Sequence, residues 1–243
     1  MANGPELKID IAEKRFSVLP EPLYEDLHFT VPRGQVLALV GRSGIGKSSL
    51  LRLIAGIDTD YAGTITIGGV PAENAPPPGF VFQDSRLLPW LTAYQNITAV
   101  NPGITRAEGE AMLERVGLAG FADAFPHQLS GGMQRRVALA RAFSVNSQLL
   151  LLDEPFVSLD RHLVAGLQKV LLQLLAAEEP TAILVTHLPE DAALLADRAI
   201  ILDGRPARVV ADMAFESRRG ARDPQELLRL TELLSAYSEE KAL

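Results

Sequence analysis

Cysteine is absent from all 243 residues. That excludes disulfides, thiolate metal clusters and a cysteine nucleophile, and nothing in the chain asks for an oxidising compartment. Positive charge is in deficit: 23 Lys and Arg stand against 30 Asp and Glu, a net charge of −7. Binding nucleic acid through bulk positive charge is therefore not expected, although a local basic patch would survive this balance. No apolar run approaches the roughly 18 residues that a membrane-crossing helix needs. The opening residues MANGPELKID lack the basic start and apolar stretch of a signal peptide. There is no internal repeat and no long low-complexity tract. The expectation is a soluble, cytoplasmic chain.

What is present suits a packed globular fold. Hydrophobic residues make up 47% and charged residues 22%, enough for a core and ordinary for a surface. Residues 35–40 (QVLALV), 149–152 (LLLL) and 182–185 (AILV) are short apolar runs, each stopped by a glycine or a polar residue. Such runs, without polar alternation, predict strands covered on both faces, as in a parallel sheet between helices. Helical patterns lie between them, over 48–54, 133–144 and 162–177. The alternation predicts an α/β, doubly wound fold. Two stretches break it. Residues 61–70 alternate apolar and polar and predict a small antiparallel sheet. Residues 87–137 read as a helical insertion, with Thr105 and Glu108 forming a capping box. Near the end, Asp223, Pro224 and Glu226 open a last helix with Leu227, Leu230 and Leu234 on one side. One domain is expected: an α/β core over 1–86 and 138–215, the insertion over 87–137, and a terminal helix in 216–243.

Residues 41–48, GRSGIGKS, match the phosphate-binding pattern G-x-x-x-x-G-K-[ST] between a strand and an apolar helix. Glycines let backbone N–H groups converge on phosphate oxygens, and the following helix offers its positive end. Gly41, Arg42, Ser43, Gly44, Ile45, Gly46, Lys47, Ser48 and Ser49 are the expected nucleotide cradle. Lys47 is to reach the β- and γ-phosphates and the Ser48 hydroxyl to ligate Mg²⁺. Asp153 and Glu154 end a buried strand. Asp153 fits an aspartate holding Mg²⁺ through water, and Glu154 a base polarising the attacking water. An aspartate after a buried strand can equally cap the next turn; the upstream phosphate loop favours the metal role.

Residues 129–134, LSGGMQ, follow at the start of another helix. Here the chain resembles, along nearly its whole length, the nucleotide-binding subunits of ATP-binding cassette (ABC) transporters. The fold that the resemblance implies is a P-loop NTPase core with a mostly parallel sheet, a small antiparallel part and an inserted α-helical part. Ser130, Gly131 and Gly132 match the family's signature motif, whose helix start contacts the γ-phosphate of ATP held by the opposite subunit. Gln83 matches the glutamine that senses Mg²⁺ and links to the membrane partner. Ser158-Leu159-Asp160 matches the loop that crosses the dimer interface, and His187 the histidine that contacts the γ-phosphate. Position 133 departs from the usual glutamine, and Met133 cannot hydrogen-bond as an amide would. The aromatic residue that stacks on adenine in the family is best matched by Phe16, for which a role in the core is the alternative; Tyr24 is the second candidate.

The segment 82–92, FQDSRLLPWLT, resembles the nitrate, sulfonate and taurine importers of that family. It contains Trp90, the only tryptophan. Trp90 either packs under a groove that receives a helix of the membrane partner or forms core for the insertion. The resemblance implies an ATPase working as a dimer, with a homodimer expected, on two membrane permease subunits at the cytoplasmic face of the membrane. A solute-binding protein is implied indirectly, small anions are the cargo, and ATP and Mg²⁺ are the cofactors. The alternatives are a cytosolic ABC-type ATPase acting on nucleic acid or ribosomes, and a nucleotide-gated scaffold with little hydrolysis. Intact Glu154 and His187 weigh against the scaffold, and the lack of paired cassettes or zinc modules weighs against the first.

Overall fold

The structure is a computed structural model that describes residues 4–145, 148–157 and 159–239. The chain forms two compact units, Met1–Pro77 with Pro180–Leu243, and Pro78–Glu179. The first unit opens with β1 (Leu7–Lys14) and β2 (Tyr24–Val31), antiparallel with Ile9 opposite Phe29. In β1, Leu7, Ile9 and Ile11 are buried while Lys8, Asp10 and Ala12 are exposed, the two-residue period of a sheet covered on one face. β3 (Val36–Val40) is buried at every position, as its unbroken apolar run predicts. It feeds α1 (Lys47–Ile54), which buries Leu50, Leu51, Leu53 and Ile54. β4 (Ala62–Ile67) and β5 (Val70–Pro71) complete an antiparallel sheet of order β2-β1-β4-β5. The antiparallel character expected of residues 61–70 is present. Their partner β1 and its neighbour β2 escape a reading that looks for unbroken apolar runs.

The second unit contains β6 (Gly79–Val81), α2 (Ala93–Thr98), α3 (Arg106–Arg115), α4 (Gly131–Phe143), β7 (Leu149–Asp153) and α5 (Arg161–Glu178). β6 and β7 are parallel, Gly79 beside Leu150 and Val81 beside Leu152. α3 carries the predicted capping box: the Thr105 backbone N–H donates to Glu108 Oε2 at 2.8 Å, and the Glu108 N–H donates to Thr105 Oγ1 at 3.3 Å. Thr92 and Gln95 form a second box at the start of α2. α5 buries Leu167, Val170, Leu171, Leu174 and Leu175, one stripe at helical spacing.

The chain then returns to the first unit with β8 (Thr181–Thr186), α6 (Pro189–Leu195), β9 (Arg198–Asp203), β10 (Arg208–Ala214) and α7 (Pro224–Glu239). β3 lies parallel between β8 and β9, and β10 adds antiparallel to β9. The expected cap of the last helix is formed, the Glu226 N–H donating to Asp223 Oδ1 at 2.9 Å. Leu230 and Leu234 are buried and Leu227 is half-buried. Among the described residues, no helix is long and apolar enough to cross a membrane.

Candidate active site

In the first unit, strand register decides where the expected residues emerge. Val40 pairs with Thr186 in the parallel β3–β8 ladder. The loop beginning at Gly41 and the residue His187 therefore leave the sheet at the same carboxyl end, where open α/β sheets bind ligands. The loop needs its glycines. Gly46 has φ 111°, and a Cβ on it would come within 2.7 Å of Tyr24 Oη; a Cβ on Gly41 would come within 2.6 Å of the Leu202 carbonyl oxygen. Lys47 is only 4% exposed, and its Nζ donates to the carbonyls of Gly41 at 2.7 Å and Arg42 at 3.0 Å. No side chain caps the start of α1. Arg42, Ser43, Gly44 and Ser48 are exposed, Ser49 is half-buried and Ile45 is buried.

The two aromatic candidates separate clearly. Tyr24 is fully buried, and its hydroxyl donates to the Gly46 carbonyl at 2.5 Å. Burial pushes its pKa up, so the phenol stays a donor under the loop and has no face to offer a base. Phe16 is half-buried. The Lys14 ammonium sits 4.6 Å from its ring centroid and pairs with Asp58 at 2.9 Å. Within the same unit, a cavity of about 250 Å³ is lined by Leu19, Leu23, Gly44, Ile45 and Arg205 among others.

In the second unit, pairing of Val81 with Leu152 sends Gln83 and the pair Asp153, Glu154 out at one end of the β6–β7 ladder. Gln83 is exposed and the two acids are half-buried. Glu154 has φ 45°, a left-handed conformation that costs a residue with a side chain about 1–3 kcal/mol and clusters at functional sites. Ser130 caps α4, its Oγ accepting from the Met133 N–H at 3.3 Å. Ser130 and Gly131 are exposed, and Gly132 packs where a Cβ would meet Leu163 Cδ2 at 3.1 Å. Asp160 precedes α5 and is exposed; Ser158 lies outside the described residues.

Two residues were missed in the sequence. Arg135 and Arg141 of α4 are buried. Arg135 donates to the Phe82 carbonyl at 2.9 Å and the Val157 carbonyl at 3.4 Å. Arg141 donates to the carbonyls of Ser85 at 2.9 Å and Arg86 at 2.8 Å. The helix that begins at the signature motif is thus tied to the backbone on both sides of Gln83. Burial lowers the pKa of both guanidiniums. The available signal was an arginine inside the apolar helix ALARAF. Trp90 is 69% exposed, which removes the core alternative. Buried Asn96 holds residues 88–92 in place, accepting from the Leu88 N–H at 2.8 Å and donating to the carbonyls of Leu88, Leu91 and Thr92.

Among the described residues, no group of three or more His, Cys, Asp or Glu could hold a metal. Ser48 of the first unit carries a hydroxyl, and Gln83 and Asp153 of the second an amide and a carboxylate, oxygen donors of the kind that Mg²⁺ takes.

A glycine-bound loop opening a helix, with a buried lysine at the carboxyl end of a parallel sheet, defines a P-loop nucleotide-hydrolysing protein. The profile of the ABC transporter family matches residues 24–157, and the chain belongs to that family as an ATPase. It is 38% identical over 240 residues to the aliphatic sulfonates import ATP-binding protein SsuB 1 of Pseudomonas savastanoi pv. phaseolicola, covering 96% of this chain and 99% of that one. SsuB of Bacillus licheniformis is 39% identical over 209 residues, 84% of this chain and 82% of its own. The ATP-binding cassette MJ0796, solved as a dimer in a post-hydrolysis state with ADP and Pi, superposes with a TM-score of 0.74 at 26% identity, over 87% of this chain and 100% of that one. CbiO1 of Clostridium perfringens, part of the cbiONQ transporter complex, gives 0.73 at 26% identity, over 86% and 88%.

Proposed function

We propose that this ATPase is the energy-coupling subunit of an importer for aliphatic sulfonates or similarly small organic anions. The observation that carries this reading is the match to sulfonate import ATP-binding proteins, which for SsuB 1 covers 96% of this chain and 99% of the relative's. The protein would act as a dimer, with membrane permease subunits above it and a solute-binding protein delivering cargo to them. Lys47 and the N–H groups at the start of α1 bind the β- and γ-phosphates of ATP. Ser48, Gln83 and Asp153 hold Mg²⁺, which would neutralise charge on the phosphates. Glu154 orients water and accepts its proton. His187 contacts the γ-phosphate, and Phe16 offers its ring to the base. Ser130, Gly131 and Gly132 meet the γ-phosphate of the partner subunit's ATP, with Asp160 at the dimer interface. Exposed Trp90 is the docking point for the permease.

The test is uptake of a radiolabelled alkanesulfonate, with nitrate and taurine in parallel, in cells with and without the gene. Loss of alkanesulfonate uptake on deletion, restored by the wild-type gene and not by Lys47→Ala, is the expected result. Unchanged uptake of all three anions would remove the cargo assignment and leave the ATPase intact.

A further inference from the structure

His187 is the first residue after β8, and it is exposed, as is Leu188. The residues that hold this short connection are the opposite: Thr186 is 2% exposed and Asp191 4%. Thr186 Oγ1 donates to Asp191 Oδ2 at 3.1 Å. The same oxygen accepts from the Leu188 backbone N–H at 3.0 Å. The Asp191 N–H donates to the Leu188 carbonyl at 3.2 Å. One hydroxyl therefore ties the end of β8, the residue after His187 and the first turn of α6 into a closed ring of hydrogen bonds. α6 needs such help. It has seven residues, its N-cap is Leu188, and no side chain caps it. A threonine hydroxyl can serve both contacts at once because it carries one donor and two acceptor lone pairs.

We infer that Thr186 and Asp191 form a latch that positions the His187 imidazole for the γ-phosphate. This rests on the reading of His187 given above. The backbone on both sides of the histidine is fixed by the latch, so the imidazole meets the phosphate without first paying the ordering entropy of a free loop. Asp191 works as an acceptor here, and an amide oxygen would serve in its place. A hydroxyl is required at 186, and valine, of the same shape, cannot supply it.

The experiment measures kcat and KM for ATP of the full-length protein, with its permease, for six forms: wild type, Thr186→Val, Thr186→Ser, Asp191→Ala, Asp191→Asn and His187→Ala. Thr186→Val and Asp191→Ala should lower kcat about tenfold with KM within about twofold, since misplacement of one contact by an ångström costs up to about 10²-fold. Thr186→Ser and Asp191→Asn should retain most of the activity. In a His187→Ala background, Thr186→Val should change kcat no further, because the latch then has nothing to position. Circular dichroism checks that each variant is folded; if Asp191→Ala is not, the Thr186 pair carries the test. Equal activity of the valine and serine variants, or an undiminished effect of Thr186→Val without the histidine, overturns the latch. Wild-type turnover in His187→Ala alone overturns the histidine's role instead, so the two failures are distinct.

Discussion

In the proposed mechanism Lys47 binds the nucleotide and Glu154 serves the chemistry, and each supports a separate prediction. The Lys47 ammonium is nearly enclosed and already directed at carbonyls of its own loop. Charge-assisted hydrogen bonds contribute about 1.5–3 kcal/mol. Lys47→Ala should therefore weaken ATP binding by roughly 10- to 100-fold at tenfold per 1.4 kcal/mol, as read by calorimetry or a fluorescent nucleotide. Unchanged affinity would remove the lysine from the site. Glu154→Gln keeps the shape and loses the carboxylate proposed as the base. It should leave ATP affinity near wild type and slow hydrolysis by about 10²–10⁴-fold, and wild-type turnover would show that Glu154 is not the base. Both residues stand out in the sequence because their motifs are local. The supporting residue Tyr24 does not. It lies 22 positions before Gly46, and nothing in its neighbourhood announces that it fills the space beneath that glycine.

At the scale of elements, caps were legible and tethers were not. The Thr105–Glu108 box closes within four residues, so its pattern can be read directly. Thr105→Ala should cost about 1 kcal/mol, a fall in melting temperature of about 2–4 °C for a chain of this size. Calorimetry at constant protein concentration measures it, with ATPase activity per folded molecule unchanged; no shift at all would mean that α3 does not depend on its cap. Arg141 instead reaches carbonyls 55 and 56 positions away. Its contacts exist only once α4 has packed beside the segment after Gln83. The exposure of Trp90 has the same origin, since Asn96 sets the path of residues 88–92 and turns the indole outward.

At the scale of the whole molecule, each chain carries one phosphate loop and one signature motif, and the proposed dimer would pair them across subunits. Ser130→Arg should block closure of the dimer without disturbing ATP on its own Lys47. Mixing Ser130→Arg with Lys47→Ala subunits puts both lesions at one composite site and neither at the other. ATPase activity, inactive in either variant alone, should partly return and peak near equal mixing. Demonstrated heterodimers with no recovery would count against two independently competent sites. Full activity of Ser130→Arg alone would remove the motif from the reaction.

By itself the sequence determined the class of chemistry and the buried elements. Phosphate loops, capping boxes and fully buried strands are written in contiguous residues, and the physics that forms them acts over a few positions. β3 is apolar throughout, and β7 and β8 are apolar apart from Asp153, Thr181 and Thr186 at their ends, because both faces are covered. β1 and β2 are covered on one side, so their signal is half as dense and is easily passed over. Only the tertiary structure decided that Tyr24 lies under Gly46, that Arg135 and Arg141 grip the backbone around Gln83, and that Thr186 and Asp191 close on either side of His187. These are hydrogen bonds made by buried polar groups, and the partners that satisfy them are chosen by packing.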